Sequence, residues 1–570
     1  MQIIGPDGKP KSFQDHTPLG VIAKTYQPMY SSTIALGVVN GQLRPLQLCP
    51  QEGDHVTFYA LDSEPGYRAY IATFQFALIE AMRRQRPEIR LEVENTFGHG
   101  LYCAVKNKIF LSKYDLEDVT RCMEEMIRDQ EPVQVKQITR DEAWNYVNPA
   151  FYRDEAPLLD VLPENYQINL YGVGGHRLAY SVTPLLPNLG CLKVFELRWM
   201  GSGILLRYGR QDQLDRLEPY VERKKLAAVY AGSEKMGQVM HCPTVAALNQ
   251  YIREGNSRGI IQMSEAYHEK SIARIADEID ADGRNVRLVL IAGPSSSGKT
   301  TFSQRLAVQM RVNGLRPIPI SLDNYFKERE NTPRLPDGSF DFESIEALDT
   351  ELFNDHMERL LRDETVELPY FNFKTGHREY RGQKVFLGDD GVLVVEGIHG
   401  MNEKLSARVR RRNKMKIYIS ALTPLSFDDY NRIPTTDMRL LRRMVRDSQF
   451  RSHDARQTIQ NWPKVRQGEE KNIFPFSEEA DIMFNTTLIY ELAVFKKYAC
   501  PLLEQIPRDA AEYPVARNFL DMLQIVESID DKAIPNNSII REFIGHSIFE
   551  DLVNCKLNLN THNQETHSIA

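Results

Sequence analysis

RLVLIAGPSSSGKTTFSQRL, residues 287–306, is the stretch whose reading decides the fold. Its first six residues form a short apolar run of strand type, and residues 301–312 carry helical spacing. Between them lies Gly293-Pro294-Ser295-Ser296-Ser297-Gly298-Lys299-Thr300, a complete GxxxxGK[ST], followed by Thr301. Strand, glycine-rich turn and helix in that order form a phosphate-binding loop. The glycines let the backbone wrap with its N–H groups turned inward, and the helix N-terminus adds positive potential. Lys299 is placed to reach the β- and γ-phosphates, and the Thr300 hydroxyl to ligate Mg²⁺. These nine residues, 293–301, are expected to bind a nucleoside triphosphate.

Outward from the loop, residues 286–507 alternate short apolar strands with helices, the pattern of a doubly wound, mostly parallel sheet. PIPISL (317–322) runs straight into Asp323, at the carboxyl end of the strand after the loop helix. In such a sheet that position faces the nucleotide crevice, where a carboxylate can take a proton from an acceptor hydroxyl. Helix capping is the plainer reading of Asp323. Glu396 ends the apolar run 392–395, a position suited to a Mg²⁺-water ligand; a solvated loop glutamate is its plainer reading. Residues 432–456 hold Arg432, Arg439, Arg442, Arg443, Arg446, Arg451 and Arg456 and no lysine. Guanidinium groups at helical spacing suit the charge that develops on a phosphoryl group in transfer, and a mobile lid is expected to carry them. RVRRRNKMK (408–416) reads as a basic surface turn.

Over residues 286–507 the chain resembles the uridine kinase and phosphoribulokinase family of P-loop kinases. The matching pieces, in order, are GPSSSGKTT, SLDNYF (321–326), SFDFESIEALD (339–349), LPYFNFKTGHR (368–378), VVEGI (394–398), TDMRLLRRMVRD (436–447) and EEADIMFN (478–485). The resemblance implies ATP and Mg²⁺ as cofactors and Asp323 as general base, with Lys299, Arg442 and Arg446 acting on the transferred phosphate. It implies Asp341 on the ribose hydroxyls, Tyr370, His377 and Arg378 around the base, Arg439 and Arg451 on phosphates or acceptor, and Gln457 on the base. Thr300 and Glu396 are the implied metal residues. Two departures stand out. The family's YDFxxHSR is here YFNFKTGHR, and Trp462 replaces a usual tyrosine, so the identity of the base stays open.

Residues 1–62 resemble the ubiquitin-like (TGS-type) module that opens threonyl-tRNA synthetases, with Asn40-Gly41 as a turn between strands. Residues 63–210 resemble the editing domain of those enzymes, with helices read at 71–84 and 116–130. The family's HxxxH pair is absent from YRAYIATFQFAL (67–78), and LYGVGGH (170–176) keeps only His176 with Tyr171 near the cysteine position. One ligand does not hold a metal, so a scaffold is expected here rather than editing chemistry. Residues 211–285 read as a helical connector, and 508–570 as a helical extension with a disordered polar end. The fold class is therefore multidomain: N-terminal β-grasp and α+β domains, then an α/β P-loop kinase domain.

The chain has 570 residues, 42% hydrophobic and 26% charged, which suits several globular domains. A net charge of −7 argues against nucleic acid as partner. No apolar run approaches a bilayer span and the N-terminus has no signal core, so a cytoplasmic protein without a membrane partner is expected. Seven scattered cysteines without a CxxC read as reduced packing thiols. Three functions remain open. The first is a nucleoside 5′-kinase favouring uridine or cytidine, homo-oligomeric by resemblance. The second is a kinase of another alcohol or sugar phosphate. The third is an ATP-gated switch that binds tRNA or ribosome. A sugar phosphate would call for extra basic residues near 341–378, where Lys374, His377 and Arg378 are the candidates.

Overall fold

The computed structural model describes residues 1–107, 109–143, 159, 161–164, 166–175, 179–281, 285–335, 338, 340–372 and 375–549. His176, Lys374 and the polar end 557–570 lie outside the described residues. At the N-terminus, β1 (Gln2–Ile4) and β2 (Pro10–Ser12) pair as a hairpin. The helix Leu19–Tyr26 leads into a three-stranded antiparallel sheet of β3 (Ile34–Val39), β4 (Gln42–Arg44) and β5 (Val56–Ala60). A parallel bridge between Ile4 and His55 joins the two pieces. Asn40 and Gly41, with φ of 50° and 81°, make the tight turn read from the sequence.

Residues 64–208 build two further antiparallel sheets. β6 (Leu91–Thr96), β7 (Gly100–Val105), β11 (Phe195–Met200) and β12 (Gly203–Tyr208) pair in the order β11-β12-β7-β6. β8 (Val133–Thr139), β9 (Gln167–Val173) and β10 (Ala179–Tyr180) pair in the order β10-β9-β8. The helices Glu64–Gln85 and Lys113–Arg128 share a core with these sheets through Phe74, Leu78, Val119 and Met123. The first helix starts seven residues before the expected 71, because Ser63 caps it and Pro65 occupies its first turn. Ser112 and Asp115 close a reciprocal capping box on the second.

Three helices, Lys224–Val239, Val245–Arg253 and Ser257–Ala281, then lead to a five-stranded sheet. Its strands are β13 (Leu288–Ala292), β14 (Arg316–Ser321), β17 (Gly391–Glu396), β18 (Lys414–Ser420) and β19 (Ile482–Asn485). Their order is β14-β17-β13-β18-β19, and every neighbouring pair is parallel. The hairpin β15 (Val366–Asn372) and β16 (His377–Val385) stands apart from it. On β13, Leu288 and Leu290 pack with Ile318, Phe353 and Met357, while Val289 and Ile291 pack with Phe302, Leu306 and Ile417 on the other face. That two-sided burial explains the unbroken apolar run. The core on the second face also takes in Ile260 and Ile272 before the sheet and Ile539, Phe543 and Ile544 after it.

The arginine-rich stretch 432–456, read as helical in spacing, is interrupted in the structure. It forms two helices, Thr435–Phe450 and Ala455–Asn472. Ser452 adopts a left-handed φ of 54°, and an Asp454–Gln457 capping box restarts the chain as a new helix. The Gln457 side-chain oxygen accepts from Asp454 N at 3.2 Å in this cap, and the residue is exposed.

The approach to the first of these helices is gripped by the N-terminal half. The Val93 amide donates to the Asp429 carbonyl at 2.7 Å, and Arg90 pairs with the Asp429 carboxylate at 3.0 Å. Val182 N donates to Asn431 Oδ1 at 2.8 Å. Arg68 holds the buried Asp437 carboxylate in a two-pronged pair at 2.6 and 2.8 Å. Removing one partner of such a pair strands the other in a dry site. Arg68→Ala is therefore expected to lower stability by ~2 kcal/mol in urea unfolding, and Arg68→Ala combined with Asp437→Asn to recover most of that loss.

Candidate functional site

The phosphate loop leaves β13 at the carboxyl edge of the sheet, where the strand order reverses. Two of its glycines sit where no side chain fits. A Cβ on Gly293 would lie 2.2 Å from the Ile419 carbonyl oxygen. A Cβ on Gly298 would lie 2.7 Å from Ile539, and Gly298 caps the following helix with a left-handed φ of 85°. Ser296 is also left-handed, at 58°, a strained geometry for a residue with a side chain. Lys299 Nζ donates back to the Gly293 and Pro294 carbonyls at 3.0 and 3.1 Å. The hydroxyls of Ser296 and Ser297 are buried with no hydrogen-bond partner among the described residues. Two carboxylates rest on loop amides: Glu469 accepts from Ser295 N at 2.9 Å, and Glu542 from Thr301 N at 3.0 Å. This loop already collects anions.

Glu396 ends β17 beside it, and its carboxylate accepts from the Thr300 hydroxyl at 3.2 Å. The two expected metal residues are thus in contact. Burial pushes the Glu396 carboxyl up to about 7, assisted by the negative charges of Asp323 and Glu542 and opposed by Lys299. Burial likewise lowers the Lys299 ammonium, opposed by Glu396, Glu542 and Asp323. Asp323 sits in a short 3-10 turn after β14 and opens to solvent. The crowded crevice around it raises its carboxyl by desolvation, with Lys299 and Arg451 pulling the other way. Asp323, Lys299, Thr300 and Glu396 therefore share one crevice.

The arginines divide into two groups. Arg439 and Arg442, expected on phosphate or acceptor, are 1% and 0% exposed. Arg439 pairs with buried Glu469 and lies over the Trp462 ring. Arg442 pairs with buried Glu491 at 2.5 Å and donates to the Ser296 carbonyl and to Thr486. These two brace the loop from behind. Arg443 donates to the Ser295 hydroxyl at 2.7 Å. Arg443, Arg446 and Arg451 all converge on buried Asp447, at 3.2, 2.9 and 3.7 Å. The positive fields of Arg446 and Arg451 reach Lys299 and Asp323 respectively.

The β15–β16 hairpin packs on the turn after Asp323, with Phe371 N donating to Asn324 Oδ1 at 3.3 Å. Tyr370 is 40% exposed with Arg381 stacked 3.4 Å above its ring. His377 pairs with Glu328 at 2.6 Å and Arg378 with Asp349 at 3.0 Å. Asp341 stands two residues from Glu343, whose carboxyl is raised by burial within the fields of Glu469, Arg443, Lys299 and Asp341. Glu343, Glu469, Asp447 and Glu542 were not singled out from the sequence. Asp447 closes the quoted TDMRLLRRMVRD and was legible as the counter-charge of an arginine run. Glu469 and Glu542 carry no local signal, since their partners lie 174 and 241 residues away.

The phosphoribulokinase/uridine kinase family matches residues 288–491. The uridine kinase of Mycoplasma genitalium is 31% identical over 179 residues, 31% of this chain and 74% of that protein. The chain belongs to the phosphoribulokinase/uridine kinase family. A second family member, the uridine kinase of Leuconostoc citreum, is 29% identical over 172 residues, 30% of this chain and 73% of its own length. A solved structure described as a possible uridine kinase from Bacillus stearothermophilus covers 35% of this chain and 89% of its own, at 19% identity and a TM-score of 0.24. Both expected carboxylates, Asp323 and Glu396, fall inside the family segment. No described helix is long and apolar enough to cross a membrane.

Behind the loop lies His268, whose Nε2 meets the Thr487 carbonyl at 3.1 Å. Burial pushes its imidazole from 6.5 down to about 3, and that of His399 to about 4. Both are neutral in the folded protein, whereas the unfolded chain takes up a proton on each below about 6.5. The contribution of these two histidines to stability is thus full above pH 6.5 and falls as pH drops toward 4. In urea unfolding between pH 7.5 and 5, His268→Gln is expected to flatten part of that slope.

Proposed function

We propose that this chain is an ATP- and Mg²⁺-dependent kinase that phosphorylates the 5′-hydroxyl of a nucleoside, with uridine or cytidine favoured. The observation that carries this reading is the meeting of Lys299, Asp323 and Glu396 in one crevice at the carboxyl edge of a parallel sheet. The loop's donor set suits a polyphosphate: inward amides already resting on carboxylates, two buried hydroxyls without partners among the described residues, and a lysine. Thr300 and Glu396 would hold the Mg²⁺, since both offer hard oxygen ligands; when bound, it neutralises phosphate charge. Asp323 takes the proton of the acceptor hydroxyl as that oxygen bonds to the γ-phosphorus and the bond to the β,γ-bridging oxygen breaks. Arg446 and Arg451 supply positive charge on the same side. His377 and Arg378 are engaged by Glu328 and Asp349, which favours an uncharged acceptor over a sugar phosphate.

Residues 286–507 carry the kinase chemistry, 1–62 form a TGS-type β-grasp module, and 63–210 an editing-like scaffold without a metal centre. Residues 211–285 form a helical connector and 508–570 a C-terminal extension. A coupled ADP-release assay with Mg²⁺-ATP and a panel of nucleosides and sugar phosphates tests the reading. The expected result is ADP release dependent on one pyrimidine nucleoside. Asp323→Asn should lower kcat about a thousandfold with little change in KM for ATP. ADP release indifferent to every acceptor would refute the assignment.

A further inference from the structure

The C-terminal extension reaches the phosphate loop. Its segment from Ser538 to the short helix Arg541–Ile544 is anchored deep in the protein, with Ile539, Ile540 and Phe543 fully buried. Ser538 donates to buried Glu265 at 2.5 Å, and Tyr490 donates to the same carboxylate oxygen at 2.7 Å. Arg442, which braces the loop, lies over the Phe543 ring at 5.1 Å. Ile539 lies so close to Gly298 that only a glycine fits there. The segment is thus one wall of the loop rather than a loose tail.

From that wall Glu542 extends its carboxylate onto the Thr301 amide at 3.0 Å. This amide is in the first turn of the helix that follows the loop, one of the donors such a loop offers to phosphate. The other carboxylate on the loop, Glu469, behaves differently. Glu469 is 1% exposed, and Arg439 and Arg466 neutralise it, so it is a fixed part of the wall. Glu542 is only half-buried, and no described lysine or arginine forms a salt bridge with it. Its negative charge is felt at Lys299 and Glu396, the same groups a nucleotide phosphate would meet. An unpaired carboxylate and a phosphate cannot both occupy that amide without like-charge repulsion.

We propose that Glu542 is a built-in competitor for the nucleotide: its carboxylate occupies a phosphate position of the loop and must swing aside for a nucleoside triphosphate to seat. This rests on the reading of the loop as a nucleotide site. A competitor tethered beside its own binding position lowers apparent affinity by the fraction of time it holds the site. The C-terminal extension therefore sets the donor affinity of the kinase, and anything that shifts this wall shifts that affinity.

The test is isothermal calorimetry of Mg²⁺-ATP and Mg²⁺-ADP binding to the full chain and to Glu542→Gln, Glu542→Ala and Lys299→Ala, with thermal unfolding as a check on each fold. Both Glu542 variants should bind nucleotide about tenfold more tightly than the parent, with the KM for ATP reduced and the kcat retained. Lys299→Ala should lose binding. If the parent binds, Lys299→Ala does not, and both folded Glu542 variants bind equally or more weakly, the competitor is overturned while the nucleotide site stands. If the parent and the Glu542 variants all fail to bind nucleotide, the loop reading falls and the competitor with it. The alanine variant, which removes the acceptor altogether, guards against the glutamine simply retaining the hydrogen bond.

Discussion

Everything in the kinase segment depends on a strand that has no wet face. Residues 288–292 are fully buried between two apolar layers, so β13 is fixed in the centre of the sheet and the chain must turn sharply at its carboxyl end. The turn is crowded by the Ile419 carbonyl on one side and Ile539 on the other, which leaves room for glycine and forces the amides inward. The loop's chemistry is in this sense a by-product of packing. Asp323 and Glu396 inherit their positions from the same constraint, because β14 and β17 end at the same edge.

Charge is stored behind this edge rather than in front of it. Arg439 with Glu469 and Arg442 with Glu491 are ion pairs almost without solvent contact. Such pairs give little net stability but impose one arrangement, because any displacement strands a charge in a dry interior. Here the arrangement they impose is the backbone of Ser295, Ser296 and Thr486, the lining of the loop. Asp447 does the same for the three arginines nearer the surface.

The sequence made the parallel sheet, the loop and the two strand-end carboxylates legible because each is a local pattern: an apolar run, a fixed spacing, an acidic residue at a strand end. The turn at Asn40-Gly41 was legible for the same reason. The burial of two of the arginines was not legible, and the cause is physical. Helical spacing placed Arg439, Arg442, Arg443 and Arg446 on one side of a helix but carried no information about Glu469 and Glu491, which fix two of them inside. The reciprocal cap of Asp454 and Gln457 likewise shows only once the chain is folded. Glu542 could not be read at all, since its meaning lies in a contact with Thr301 across 241 residues of chain.

The core behind the sheet has a consequence for how this chain can be divided. Its walls are Ile260 and Ile272 from the helix before the sheet, and Ile539, Phe543 and Ile544 from the segment after it. The N-terminal half meanwhile holds the turn at Asp429 and Asn431 and the start of the arginine helix. The family segment is therefore not a removable cassette. Severed at its sequence ends it would lose much of the wall that shapes its loop, and the segments on either side form part of the housing in which that loop is built.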